Sequence, residues 1–338
     1  MKKILLIHTG GTFGMMPAKP SKVLVPADIR HLILKYLPEI ENIAHVDFEV
    51  AFNIDSANIQ IHHWQTLGEM IKQHYLSYDG FVIIHGTDSM TYTASALSFM
   101  LQGLTKPVIL TGSQRPLALI RSDARNNLIN SIELATFSIP EVCIYFDKYL
   151  FRGNRTIKIS STSYEAFASP NFPILAEVGL DIELSKNILS AGKELLYNKN
   201  FDDNIFYFRF FPGLPSQHLE NFVKSPIKGV IIEALGLGNL AIQEKSMIPW
   251  IEKMTKAGKV IVITSQSPYG AVNFHLYECG QLITRAGGLS AGDMTSSAAI
   301  TKLMFLLGQF PDEVEKVKTY YQKSLAGEIT ESAIGANI

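Results

Sequence analysis

The chain has 338 residues, 47% hydrophobic and 18% charged, which is apolar material for two packed cores and excludes a disordered or fibrous chain. Thirty basic against thirty-one acidic side chains leave a net charge of -1, so no global field draws in a phosphate backbone or an anionic bilayer. Only two cysteines are present, Cys143 and Cys279, too far apart in sequence to suggest a disulfide framework or a thiolate metal cage, and a reducing compartment fits best.

Met1-Lys2-Lys3 followed by Ile4-Leu5-Leu6-Ile7 begins like an export signal, but the apolar run stops at His8 and Thr9 and is too short for an export core. The later run from Ala94 to Leu101 is interrupted by Ser95 and Ser98 and falls well short of the ~20 residues of a membrane span. The expectation is a soluble, cytoplasmic protein with neither nucleic acid nor membrane as partner.

Short Val/Ile-rich runs recur at Ile4 to His8, Phe81 to His85, Val108 to Thr111, Val142 to Phe146, Gly229 to Glu233 and Val260 to Thr264. Apolar residues at consecutive positions suit strands buried on both faces of a parallel sheet, which predicts an α/β architecture. From Ala191 to Ser216 the texture changes to a polar run, Asn198 to Asn204, and then Pro212-Gly213-Leu214-Pro215, the punctuation of an exposed connection. The expected division is a larger doubly wound domain with a mostly parallel sheet over 1–190, a linker over 191–215, and a smaller C-terminal α/β domain over 216–338 holding two of the strands. The last residues, Glu331 to Ile338, carry no core-like period and are expected to fray.

Ligands of a doubly wound sheet bind beyond the carboxyl ends of its strands. The first three runs are followed there by Thr9-Gly10-Gly11-Thr12-Phe13-Gly14, by Gly86-Thr87-Asp88-Ser89 and by Gly112-Ser113-Gln114-Arg115-Pro116. Glycines in such turns let backbone N–H groups approach a ligand. A nucleotide site is one reading, but the first loop lacks the full G-x-G-x-x-G and the P-loop ending. Covalent catalysis is the other: Thr12 presents a hydroxyl beside backbone donors that can stabilise an oxyanion. A threonine hydroxyl needs help to lose its proton. Thr87-Asp88 can orient a water or relay a proton, and Lys158 can supply a cation whose pKa falls on burial. Singly each is more often structural, a strand-end Thr-Asp pair usually capping the next helix; their combination argues for chemistry.

These segments, together with Tyr92-Thr93-Ala94, Thr111-Gly112-Ser113-Gln114 and Arg152-Gly153-Asn154-Arg155, resemble the L-asparaginases of the bacterial cytoplasmic type I. The likeness continues through Phe167 to Asn171, Gly236-Leu237-Gly238-Asn239 and Gly292-Asp293-Met294-Thr295 and so covers nearly the whole chain. The resemblance implies hydrolysis of L-asparagine to L-aspartate and ammonia through a β-acyl-enzyme ester. It identifies Thr12 as the acylated nucleophile and Thr87, Asp88 and Lys158 as the second catalytic group. Gly11, Asp55, Ser56, Thr87 and Asp88 would hold the substrate, a carboxylate pairing with its ammonium and hydroxyl or backbone donors with its carboxylate. Asn239 would be contributed to a neighbouring subunit's site in a homodimer or homotetramer. Without the other motifs, Asp55-Ser56 and Asn239 read as an ordinary turn or cap. No metal or organic cofactor is implied, and the nine histidines form no H-E-x-x-H or similar cluster.

Two departures stand out. Family members carry a tyrosine in the loop after the nucleophile, yet Met15 to Pro26 contains none, and the first tyrosine is Tyr36 in the amphipathic helix expected next. Glu233 occupies the position at which some type I enzymes carry an arginine for an effector, and an acidic side chain repels an effector carboxylate, so hyperbolic kinetics are expected. The missing tyrosine keeps open a catalytically weak or silent asparagine-binding sensor on the same fold.

Overall fold

The computed structural model describes residues 1–17, 24–26 and 29–330, which divide into two compact units, Met1–Lys199 and Asn200–Ile338. In the first, eight strands form one sheet: β1 (Lys3–Gly10), β2 (His45–Ile54), β3 (Gly80–Ile84), β4 (Val108–Thr111), β5 (Val142–Phe146), β6 (Tyr149–Arg152), β7 (Ala176–Val178) and β8 (Ile182–Leu184). Their order is β8-β7-β6-β5-β4-β3-β1-β2, parallel from β2 to β5 and antiparallel from β5 to β8. Every residue of β3 is buried, which accounts for its unbroken apolar run.

The helices are α1 (Ile29–Tyr36), α2 (Ile61–His74), α3 (Met90–Met100) and α4 (Ala124–Leu134). Leu32 and Ile33 of α1 and Leu128 and Ile132 of α4 pack with Leu6 and Ile84 of the sheet. Tyr36 closes α1, as expected. Because β1 lies between β2 and β3, the chain leaves β1 first to one side and later builds away on the other. This reversal places the carboxyl end of β1 at the topological switch point, where such sheets open a crevice.

The second unit has a four-stranded parallel sheet, β9 (Ile205–Arg209), β10 (Gly229–Ala234), β11 (Val260–Ser265) and β12 (Leu289–Ser290), in sequential order. Its helices include α5 (Ile248–Lys256), α6 (Glu278–Arg285), α7 (Ser296–Gln309) and α8 (Val314–Tyr321). Val230, Ile232, Ile261 and Ile263 form its core with Trp250, Met254 and Ile283. On α7 the fully buried Lys302 pairs with the fully buried Glu328 at 2.5 Å, and Glu328 also accepts from the Leu325 and Ala326 N–H groups.

The α/β architecture is as expected, but several details differ. β2 carries no continuous apolar run because it is an edge strand, His45-Val46-Asp47-Phe48-Glu49, in which polar residues alternate with apolar ones. The second sheet has four strands, not two. Segment 191–215, expected to be a linker, is built into both units: Leu196–Tyr197 pairs with Leu101–Gln102, and Ile205–Arg209 is the edge strand β9. The polar run that suggested exposure reaches only from Asn198 to Asn204, and the backbone on either side is satisfied by pairing. Residues 331–338, expected to fray, lie outside the described residues. Among the described residues no helix is long and apolar enough to cross a membrane.

Candidate active site

The first turn needs two consecutive glycines. Gly10 adopts a φ of 109°, and a Cβ there would fall 2.2 Å from the Ile54 carbonyl oxygen; Gly11 adopts 84°, and a Cβ there would fall 2.6 Å from Gly86 Cα. These close approaches put the start of the turn against the ends of β2 and β3. Thr12 then opens a single 3₁₀ turn, Thr12–Gly14. Beneath it the Thr9 hydroxyl donates to the Ile84 carbonyl at 2.9 Å, tying β1 to β3.

Past β3 the chain turns through His85-Gly86-Thr87-Asp88 into α3. Lys158 arrives from the short antiparallel pair Ile157–Lys158 and Phe167–Ala168. Its Nζ donates to Thr87 Oγ1 at 2.8 Å and to Asp88 Oδ1 at 2.5 Å. The lysine side chain is 18% exposed and the aspartate 70%, so the pair adds little to stability and mainly sets positions. With its oxygen accepting from the ammonium, the Thr87 hydroxyl keeps its own hydrogen to donate elsewhere. The segment leading to Lys158 is anchored by a buried pair: Arg152 Nε donates to Glu141 Oε2 at 2.6 Å, and Arg152 Nη2 to the Asn187 carbonyl at 2.8 Å.

Asp55 and Ser56 follow β2. The Asp55 carboxylate caps the 3₁₀ turn Ser56–Asn58 by accepting from the Ala57 N–H at 2.8 Å. Ser56 is buried; its carbonyl accepts from the Ser89 hydroxyl at 2.6 Å, and a Cβ on Gly86 would fall 2.7 Å from its Oγ. Gly11, Ser56, Thr87, Asp88 and Lys158 are therefore linked through one set of contacts centred on Gly86, with Asp55 beside them. Asn239 belongs to the second unit, on a tight turn in which Leu235 and Asn239 exchange backbone hydrogen bonds of 3.1 and 2.7 Å. Half of the loop whose missing tyrosine was noted, residues 18–23, lies outside the described residues; its arms pair antiparallel, Met15 opposite Pro26.

Reading motifs did not single out the groups that hold this edge from behind. Asp123 reads as the cap of α4, yet its side chain caps nothing; it accepts from the Gln114 N–H at 2.9 Å, the Arg115 N–H at 3.1 Å and Asn127 Nδ2 at 3.2 Å. Burial raises its pKa, those donors working in the opposite direction. Gln114 Nε2 in turn donates to the Ser163 carbonyl at 3.0 Å, binding the turn after β4 to the loop that follows Lys158. His85 is fully buried beside Gly86, and burial pushes its pKa down to about 4. His8, also buried, is lowered to about 4 for the same reason. Among the described residues no group of three or more histidine, cysteine or acidic side chains is arranged to hold a metal ion.

The family model "Asparaginase, N-terminal" matches residues 3–190, and "Glutaminase/Asparaginase C-terminal domain" matches residues 204–321. The chain belongs to the asparaginase family. It is 39% identical over 335 residues to L-asparaginase 1 of Escherichia coli strain K12, covering 97% of this chain and 98% of that one. The solved L-asparaginase I of Vibrio cholerae superposes with a TM-score of 0.89 at 36% identity, covering 97% of this chain and 99% of that one. The thermostable L-asparaginase of Thermococcus kodakarensis gives a TM-score of 0.89 at 31% identity, with the same coverage. In this asparaginase-family chain Glu233 is held by Arg209 Nε at 3.1 Å and accepts from the Ser296 hydroxyl at 3.0 Å, so its charge is partly compensated within its own unit.

Proposed function

We propose that the chain hydrolyses the side-chain amide of L-asparagine, releasing ammonia and L-aspartate, with Thr12 as nucleophile. The observation that carries this reading is the Lys158 ammonium bonded to both Thr87 and Asp88, on a turn whose glycine rests against the glycine preceding Thr12. Thr12 Oγ attacks the carboxamide carbon and gives up its proton; the tetrahedral intermediate expels ammonia, which carries that proton away, and leaves a β-acyl ester on Thr12. Water held at Thr87 then adds to the ester carbon, one of its protons passes to Thr12 Oγ as the Thr12 C–O bond breaks, and L-aspartate departs. Lys158 donates to the Thr87 oxygen and so polarises that hydroxyl, and Asp88 holds the ammonium in place.

The substrate is a zwitterion, which fits the edge. Asp88 is exposed enough to meet an ammonium group, and Ser56 and the backbone around Gly11 offer donors to a carboxylate. Lacking a loop tyrosine, the chain relies on the Lys158-Asp88 pair and neighbouring backbone donors for activation. The finer assignment is to the cytoplasmic type I enzymes, assembled as a homodimer or homotetramer in which Asn239 completes a neighbour's site; support comes from the motif string through Gly236 to Asn239 and from the E. coli and V. cholerae relatives. Purified protein is expected to release ammonia from L-asparagine. Thr12→Ala and Thr87→Ala each abolish release, and mass spectrometry of protein quenched in turnover finds an adduct on Thr12. Equal rates for the three proteins overturn the reading, and binding without any turnover identifies a sensor.

A further inference from the structure

Behind the Thr87 turn lies a chain of three buried polar side chains that the reaction itself does not touch. His85 Nδ1 is 2.7 Å from the Gly86 carbonyl oxygen, His85 Nε2 is 3.0 Å from Thr93 Oγ1, and Trp64 Nε1 donates to the same Thr93 Oγ1 at 3.1 Å. All three residues are nearly or fully inaccessible.

The protons can be assigned from chemistry alone. A carbonyl oxygen only accepts, so Nδ1 must carry the hydrogen shared with Gly86. Burial keeps the ring neutral, so Nε2 is an acceptor and the Thr93 hydroxyl donates to it. The indole N–H can only donate, and it meets the lone pair that Thr93 has left. Every donor has one acceptor, running Trp64 to Thr93 to His85 to Gly86.

This chain ends on a particular peptide plane. In a trans peptide the C=O of Gly86 and the N–H of Thr87 point in opposite directions. Drawing the carbonyl inward to His85 aims the Thr87 N–H away from the interior, and that N–H has no partner among the described residues. Gly11 rests against the start of that plane: a Cβ at Gly11 would lie 2.6 Å from Gly86 Cα. The ring of His85 thus bears on both the Thr87 side and the Thr12 side of the site.

We propose that His85, Thr93 and Trp64 form a positioning relay that sets the Gly86–Thr87 peptide for the reaction, His85 acting as a fixed neutral donor and not as an acid or base. The inference rests on the assignment of Thr12 and Thr87 to asparagine hydrolysis made above. Thr93→Val keeps the shape and removes the hydroxyl, leaving His85 Nε2 buried without the hydroxyl that donates to it. Tilting donors at a reacting centre is costly in rate, so kcat for L-asparagine is expected to fall about tenfold or more, with KM changed less than about threefold. Thr93→Ser restores the hydroxyl and is expected to keep kcat within about threefold of the parent. A Thr93→Val kcat within twofold of the parent, or a Thr93→Ser loss as large as that of Thr93→Val, overturns the relay. Should Thr93→Val fail to fold, nitrogen-15 NMR of the histidine rings in the unaltered protein, assigned with His85→Gln, decides: an Nδ1–H tautomer persisting at pH 6 is expected, and an Nε2–H tautomer or an imidazolium refutes it. Thr87→Ala separates the two levels. Full activity in Thr87→Ala overturns the functional reading, whereas its loss together with an unaffected Thr93→Val overturns the relay alone.

Discussion

Lowering the pH below 6.5 should destabilise the amino-terminal unit through two histidines. His8 and His85 are both buried, and burial holds each at about 4, against 6.5 for the free imidazole. In both, a hydrogen bond pulls the other way and is outweighed: the Asn53 side chain for His8, the Gly86 carbonyl for His85. Between these limits the unfolded chain binds protons that the folded chain refuses, so stability is full above 6.5 and is lost as pH falls toward 4. At pH 5 the unfolded histidine lies about 1.5 units below its pKa while the folded one is still neutral; at 1.36 kcal/mol per unit that removes about 2 kcal/mol per histidine, or about 4 kcal/mol for the pair. Asp123, whose carboxyl is raised by burial, contributes in the opposite sense and trims the total. Only two tryptophans are present, so in a Trp250→Phe background Trp64 fluorescence reports this unit alone during urea unfolding at pH 7, 6 and 5. His85→Gln and His8→Gln should each flatten the pH dependence by about 2 kcal/mol between pH 7 and 5, whatever they do to stability at pH 7. A dependence as steep in both variants as in the parent refutes the argument.

Three further outcomes are expected. Gly11→Ala forces a Cβ to within 2.6 Å of Gly86 Cα at a φ of 84°, and ammonia release from L-asparagine should drop about 100-fold while circular dichroism stays near that of the parent; retained activity would mean the turn tolerates the shift. Glu328→Gln leaves the fully buried Lys302 without its counter-ion, which should cost about 3 to 5 kcal/mol in the carboxy-terminal unit, read by Trp250 emission in urea, whereas Lys302→Met combined with Glu328→Gln, which keeps an acceptor for the Leu325 and Ala326 N–H groups, should recover most of it. Rate curves in L-asparagine should be hyperbolic, since the family resemblance sets Glu233 where some relatives carry an effector-binding arginine, and a sigmoidal curve would contradict this.

What the one-dimensional chain determined was the set of elements whose signal is local. Consecutive Val and Ile residues marked the strands buried on both faces, β1, β3, β4, β5, β10 and β11, because such strands need apolar side chains on each side. Glycine and hydroxyl residues just past those strands marked the edge where a ligand could sit, and the ordered motifs carried the family. Edge strands were illegible: β2 and β9 carry polar or half-exposed residues, and only their hydrogen-bonded neighbours make them strands. Segment 191–215 was misread for the same reason, since composition records polarity but not whether backbone is paired.

The site's chemistry divides along the same line. Thr12, Thr87, Asp88 and Lys158 were candidates from their combination and from the family resemblance. That the Lys158 ammonium reaches both Thr87 and Asp88 is a fact of folding, since a two-residue strand from a distant part of the chain supplies it. His85 stood in sequence only at the end of an apolar run, and Asp123 was not singled out. Their surroundings depend on which atoms lie within 3.1 Å after packing: a carbonyl and a hydroxyl for the imidazole, two backbone N–H groups for the carboxylate. Hydrophobic patterning is written along the chain because burial acts residue by residue, whereas tautomer, charge state and hydrogen-bond direction are set by neighbours that only the tertiary structure brings together.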